Sequence, residues 1–207
     1  MTTMSRLALA AALAVSSALA ACSDMPKPAA PSAAKGEVAI FAGGCFWCVE
    51  QDFEKLAGVI EAESGYTGGR TANPSYDQVG AGVTGHVEAV RVIYDPAKIS
   101  YPQLLDYFWR HIDPTAKDRQ FCDSGPEYRS VIFWRTEEQR QAAEASREAL
   151  RQSGRFPVIH TEILPAGTFW MAEDYHQNYY KNNPLRYSYY RSACGRDARV
   201  QQLWGAS

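Results

Sequence analysis

The sequence predicts a two-layer α+β domain, and three observations carry that expectation. Apolar runs of strand length and segments of helical period follow one another in the order βαββαβ, the pattern of a sheet with helices packed on it. The 207 residues, 46% of them hydrophobic, suffice for one ordinary globular core plus a short additional segment. No internal repeat divides them.

The elements can be justified in order. Ser5 to Ala21 holds one Arg followed by an Ala/Leu-rich run, the layout of a secretory signal peptide and too short to read first as a spanning helix. It ends in Leu19-Ala20-Ala21-Cys22, which resembles a bacterial lipoprotein signal: cleavage before Cys22 and lipid on its thiol. Plain secretion with cleavage near the same place is the alternative. Ser23 after the cysteine resembles outer-membrane lipoproteins, which implies an outer-membrane location facing the periplasm. Residues 22–36, with three prolines and no apolar period, read as a flexible tether. The folded domain is expected over 37–207, with residues 1–21 removed.

Within that domain Val38–Ala42 is the first strand, and Val49, Phe53 and Leu56 give the first helix. Val59 to Tyr66 is a second strand, and the Gly-, Asn-, Pro- and Ser-rich stretch from Thr67 to Gly85 is a long loop of the kind that usually carries function. A third strand runs from His86 to Tyr94. Ser100-x-x-Gln103 forms a capping box with Pro102 in the first turn, so a helix starts there with Leu104, Leu105, Phe108 and Ile112 on its apolar face. Asp113 to Glu127 is a second long loop and Tyr128 to Trp134 a fourth strand. Thr136 caps an extra helix that ends near Gly154, Pro157 to Leu164 is a fifth strand, and Ala172 to Lys181 a short helix. The remaining tail, crowded with Tyr and Arg, is expected to be irregular.

Chemistry concentrates in Gly43-Gly44-Cys45-Phe46-Trp47-Cys48-Val49-Glu50. A strand, a glycine turn and a helix in succession put Cys45 at a helix N-terminus, where unpaired N–H groups favour the thiolate. That effect is worth only about 0.3–1 kcal/mol, so a markedly reactive thiol needs further help. Cys48 lies one helical turn on, within disulfide range. Strand alternation sets Glu88 on the face of Val90 and Val92, where desolvation favours the protonated carboxyl and suits it to act as an acid. A metal site is disfavoured: no second Cys-x-x-Cys exists, and His86, His111, His160 and His176 show no ligand spacing. A c-type haem would need His at position 49, which is Val. The formal charge of −2 gives no global basic field for nucleic acid.

The central stretch, together with Gly65-Tyr66-Thr67-Gly68-Gly69, Gly85-His86-Val87-Glu88, Asp123-Ser124-Gly125-Pro126-Glu127-Tyr128-Arg129-Ser130 and Asp174-Tyr175-His176-Gln177, resembles the class A peptide methionine sulfoxide reductases over about residues 37–204. The resemblance implies a ferredoxin-like βαββαβ core and a cofactor-free reaction. In it the Cys45 thiolate attacks the sulfur of an S-epimer methionine sulfoxide while Glu88 gives the departing oxygen its proton. It further implies that Tyr76 and Tyr128 hold that oxygen, that Asp123 contacts the site, and that Phe46 and Trp47 form the pocket for the substrate methyl group. Cys45 would be left as a sulfenic acid that condenses with a second thiol.

Three thiols are candidates for that step. Cys48 is the nearest by geometry and Cys194 lies where the family's resolving cysteines are often found; these two rank equally, and Cys122 ranks last. Oxidised proteins are the expected substrates, a thioredoxin-like protein the expected reductant, and a monomer the expected state. Two other readings stand beside this one. The Cys-x-x-Cys after a strand would also suit a thioredoxin-like disulfide oxidoreductase, and the tyrosine-rich tail would suit a non-catalytic binding lipoprotein.

Overall fold

The structure is a computed structural model that describes residues 36–205, so the expected signal segment, Cys22 and nearly all of the tether lie outside the described residues. The first strand, β1 (Glu37–Ala42), leads through Gly43-Gly44 into α1 (Phe46–Glu54). Then follow β2 (Val59–Thr67), a short α2 (Tyr76–Gly80), β3 (Val87–Tyr94) and α3 (Tyr101–Trp109). A two-residue hairpin, β4 (Arg119–Gln120) with β5 (Asp123–Ser124), precedes β6 (Val131–Trp134), α4 (Glu137–Gln152), β7 (Glu162–Pro165) and β8 (Trp170–Met171). The chain ends in α5 (Tyr179–Asn182), α6 (Pro184–Cys194) and α7 (Arg196–Trp204).

Six strands form one sheet in the order β7-β6-β1-β3-β2-β8. The inner four, β6-β1-β3-β2, pair antiparallel throughout, which is the ferredoxin-like arrangement of the βαββαβ order. At one edge β7 joins β6 in parallel through α4, and at the other β8 joins β2 antiparallel. The mixed α+β class expected from the sequence is therefore observed.

Both faces of the sheet are covered, so β3, in the middle, is buried at every residue except Arg91. One face, with Phe41, Ala62, Val90, Val92 and Tyr94, packs against Val49 and Phe53 of α1 and Leu104, Leu105 and Phe108 of α3. The other, with Ile40, Ala42, Val87, Ala89, Val131 and Phe133, packs against Phe169, Leu164 and Met171. Glu88 falls on the helix-covered face, as its register with Val90 requires.

Several boundaries differ from the sequence reading. The first long loop contains α2, whose Ser75 completes a capping box with Gln78. Tyr128 ends a 3-10 turn (Pro126–Tyr128) instead of opening a strand, and the fifth strand begins only at Glu162. Asp174–His176 is a 3-10 turn, leaving only Tyr179–Asn182 of the expected short helix. The tail is helical, not irregular: Pro184 occupies the first turn of α6, and Gly195, at φ 69°, ends it in the left-handed conformation that glycine tolerates best.

Glu50 of α1 ties the layers together. It is fully buried, accepts the Asn178 N–H at 2.6 Å and is hydrogen-bonded by the Ser64 hydroxyl, so one carboxyl joins α1, β2 and the entry to α5. Burial pushes its pKa up from 4.5 to about 7, against the pull of these two donors. A group that holds its proton longer in the folded state makes stability fall as pH rises through that window, here from 4.5 towards 7. Glu50→Ala, by leaving a buried hydroxyl and N–H unpaired, should cost about 1–3 kcal/mol. Thermal melts across that pH range should show the lower stability and the loss of this part of the pH dependence; an unchanged melting curve would refute the assignment.

Candidate active site

The site is built where the head of α1 meets β3. Cys45 is the N-cap residue, and its carbonyl accepts the N–H groups of Cys48 and Val49. The turn before it needs glycine: Gly44 has φ +84°, and a Cβ there would lie 2.7 Å from that of Gln120. The first helical N–H, that of Phe46, donates to Glu88 Oε2 at 2.8 Å. This corrects the expectation that helix N–H groups would favour the Cys45 thiolate. The Phe46 donor goes to the carboxyl, and burial pushes the Cys45 thiol well above its ordinary range.

Glu88 is itself 2% exposed, and desolvation raises its pKa well above that of a free glutamate, with the Phe46 N–H only partly opposing. The carboxyl therefore carries its proton at neutral pH, as an acid requires.

Cys45 and Cys48 are both free and buried, and their side chains are hydrogen-bonded to each other. They consequently lose their protons as a pair. The hydrogen bond from Cys45 lowers the Cys48 thiol to about 7 against the opposing effect of burial, with the nearby Arg196 and Arg191 cations helping. The second proton is held far more tightly.

Around these groups stand the other residues singled out from the sequence. Tyr76 heads α2, where its N–H donates to Glu173 Oε1 at 2.9 Å, while Glu173 Oε2 accepts the Tyr66 hydroxyl at 2.7 Å. Tyr76 and Tyr128 interact through their hydroxyls, and both phenols are raised by burial first and then by the nearby Glu88. They remain protonated donors over the physiological range. Phe46 is buried, with its ring 6.4 Å from that of Tyr76 and 5.0 Å from that of His176. The Trp47 ring stacks on Tyr179 at 3.7 Å.

Asp123 accepts the Tyr190 hydroxyl at 2.7 Å, and Tyr190 in turn interacts with the Cys45 thiol. Cys122 and Cys194 are joined in a disulfide. Their sulfurs lie close to an Asp123 oxygen, a cluster of ligand-type atoms, but the bond between them takes up both thiols. The structure thus brings Cys45, Cys48, Glu88, Tyr76, Tyr128, Asp123, Phe46 and Trp47 together, and links Cys194 with Cys122 at the edge of the same site.

Four participants went unrecognised in the sequence. His176 is buried and accepts the Trp47 indole N–H through Nδ1 at 3.0 Å, so its proton sits on Nε2, which has no hydrogen-bond partner among the described residues. Desolvation lowers its pKa to about 4 and keeps it neutral. Tyr190 and Arg191 belong to the tail that read as packing. Arg196 is buried on the Gly43 and His111 carbonyls, at 3.0 Å each. His176 lies inside the Asp174–Gln177 motif and Arg196 two residues after the candidate thiol Cys194. For Tyr190 and Arg191 the available signal was Pro184 and Gly195, which bound their segment as a helix.

Comparison with known proteins agrees with this geometry. The family model described as peptide methionine sulfoxide reductase matches residues 37–207. The chain is 52% identical over 196 residues to a peptide methionine sulfoxide reductase of Caulobacter vibrioides, covering 95% of each. It is 48% identical over 174 residues to the enzyme MsrA of Bacillus licheniformis, covering 84% of this chain and 96% of that one. Among solved structures it is similar to methionine sulfoxide reductase A of Corynebacterium diphtheriae, with a TM-score of 0.68 and 36% identity over 74% of this chain and 78% of that one.

The paired thiols yield a direct test. With the Cys122–Cys194 disulfide intact, ultraviolet thiolate absorbance should rise with a first midpoint near pH 7, the value to which Cys48 is drawn. Cys48→Ser should move that step well upward, because burial then holds the proton on the one remaining thiol, Cys45. A midpoint unmoved by the substitution would place the charge elsewhere.

Proposed function

The chain belongs to the class A peptide methionine sulfoxide reductase family and reduces methionine sulfoxide as a thiol-dependent oxidoreductase; we propose that Cys45 attacks the sulfoxide, Glu88 protonates its oxygen and Cys48 resolves the product. The observation that carries this reading is the Phe46 N–H to Glu88 hydrogen bond, which fixes a neutral buried acid beside the N-cap cysteine.

In the first step the Cys45 sulfur bonds to the electrophilic sulfur of the substrate, whose oxygen takes the Glu88 proton. The protonated oxygen then moves to Cys45 as the new sulfur–sulfur bond and the substrate's sulfur–oxygen bond break, leaving Cys45–SOH and methionine, so the cysteine sulfur is oxidised by two electrons and the substrate sulfur reduced by two. The Tyr76 and Tyr128 hydroxyls supply hydrogen bonds to the oxygen as charge builds on it. Phe46 and Trp47 offer the methyl group a ring-lined contact surface of the kind sulfur favours, worth about 0.3–1.5 kcal/mol per contact. The S epimer is the expected substrate, since a separate enzyme type serves each epimer.

Resolution follows from position. The Cys48 thiolate displaces hydroxide from Cys45–SOH, giving the Cys45–Cys48 disulfide and, with a proton, water. Of the three candidate thiols Cys48 is the one already hydrogen-bonded to Cys45, while Cys194 and Cys122 are tied to each other. A dithiol protein of thioredoxin type then reduces the disulfide by exchange. The thioredoxin-like reading of the chain itself is not favoured, since the family match spans the whole folded region.

Anchoring completes the proposal. The Leu19-Ala20-Ala21-Cys22 sequence supports lipidation of Cys22, with the tether holding the enzyme at the outer membrane on its periplasmic side. No helix among the described residues is long and apolar enough to cross a membrane.

Rapid-quench single-turnover assays test the chemistry. Cys45→Ser should release no methionine, and Glu88→Ala should slow release by about 10²–10⁴-fold. Cys48→Ser should release one methionine yet accumulate a sulfenic acid that a dimedone probe captures. A Cys45–Cys194 disulfide found by mass spectrometry in that variant, at the wild-type rate, would transfer resolution to Cys194. For the anchor, Cys22→Ala should move the protein from the membrane to the soluble fraction, and unchanged fractionation would refute lipidation.

A further inference from the structure

Four of the five cysteines lie among the described residues, and the proposed reaction uses two of them. The remaining pair joins two segments distant in sequence: Cys122 in the loop between β4 and β5, and Cys194 at the last turn of α6, 72 residues later. Each has a neighbour that matters. Asp123 follows Cys122 directly, and Tyr190 precedes Cys194 by four residues, one helical turn on the same face.

These neighbours meet each other. The Tyr190 hydroxyl donates to Asp123 Oδ2 at 2.7 Å, and the Tyr190 ring stands edge-on to Trp47, between the two reactive cysteines, at 5.9 Å. The phenol also faces the Cys45 sulfur. Cys122 is exposed and Cys194 half-exposed, so solvent thiols and oxidants reach this disulfide, while Cys45 and Cys48 are 5% and 1% exposed.

We infer that the Cys122–Cys194 disulfide stands outside the electron path and acts as a redox-sensitive staple, holding the Asp123–Tyr190 pair in place so that the Tyr190 hydroxyl stays on the Cys45 sulfur. Tyr190 is then a catalytic residue, because it touches the reacting atom, and Cys122 and Cys194 are positioning residues. The inference rests on Cys45 being the attacking thiol. Reduction of the staple frees the end of α6 and loosens the phenol. The enzyme keeps its chemistry and loses a donor for the Cys45 thiolate: the single Tyr190 hydroxyl proton lies on Asp123 while Cys45 is a thiol and turns to the sulfur when Cys45 ionises. Besides Tyr190, the sulfur faces Cys48 of α1, Glu88 of β3, Tyr76 of α2 and Tyr128 of the 3-10 turn, so the shift belongs to Tyr190 only if it vanishes with Tyr190.

The test is the pH profile of single-turnover methionine release in the full-length protein. Tyr190→Phe and the double variant Cys122→Ser/Cys194→Ser should each displace the acid limb to higher pH and slow release at pH 7 by about tenfold, the scale of one lost hydrogen bond to an ionised group. All three substitutions together should do no more than either change alone, as expected for groups acting through one contact. Additive shifts, or a profile indifferent to loss of the disulfide, would overturn the inference.

Stoichiometry gives a second measurement that needs no variant. Wild-type protein with all four thiols reduced should yield one methionine per chain if the outer pair is a staple, and two if it relays electrons, which would also overturn it. Turnover that persists in Cys45→Ser would instead remove the reading beneath.

Discussion

The structure depends on a single hydrogen bond at the head of α1, from the Phe46 N–H to the Glu88 carboxyl. A carboxyl in the middle strand of a sheet covered on both faces is costly to ionise, and the protein answers by leaving it protonated. The bond does two things at once. It satisfies a helix N-terminal donor that has no partner within the helix, and it fixes the acid one residue from the reactive sulfur. Since β3 and α1 belong to the same packed core, the separation of acid and sulfur is set by that packing.

Around that bond the last third of the chain forms a cover. Trp47 is held by the Tyr179 stack and by His176 Nδ1, Arg196 sits on the carbonyl of Gly43 in the turn that presents Cys45, and Arg191 pairs with buried Asp52 of α1 at 2.9 Å. Buried ion pairs of this kind contribute little net stability, because desolvation offsets the attraction. Their effect is positional: each arginine has one place in which its charge is satisfied. The helices that carry them are thereby registered against α1, and the positive charge they bring adds to the Cys45 hydrogen bond in lowering the Cys48 thiol.

Much of this was legible in the sequence. The strand and helix order, the glycine turn ahead of Cys45, and the alternation that puts Glu88 with Val90 all follow from local pattern, and the structure agrees with each. The misreadings share a cause: they concern groups whose state is set by distant residues. A helix N-terminus ordinarily favours a thiolate, but here its donor was claimed by a strand 42 residues away. The tail carries no apolar period because its tyrosines are buried by hydroxyl partners such as Gln51 and Asp123 rather than by a continuous apolar face. Its helix signals, Pro184 and Gly195, were present and were outweighed by composition.

The partition of sulfurs also bears on how the proposed cycle closes. A thiol attacking the Cys45–Cys48 disulfide can strike either sulfur, and exchange is faster when the thiol that leaves has the lower pKa. In the proposed cycle Cys48 is that thiol: Cys45, held in the mixed disulfide, has no proton left to donate, but Arg196 and Arg191 still favour the Cys48 anion. It is also the more deeply buried of the two, so approach and leaving-group strength select the same bond-breaking. Attack on Cys45 expels Cys48 as a stabilised thiolate, and the mixed disulfide with the reductant forms on the sulfur that faced the substrate. On the proposed assignment the charges that ready Cys48 to resolve a sulfenic acid are therefore those that let it depart when the disulfide is opened, and one arrangement serves both halves of the cycle.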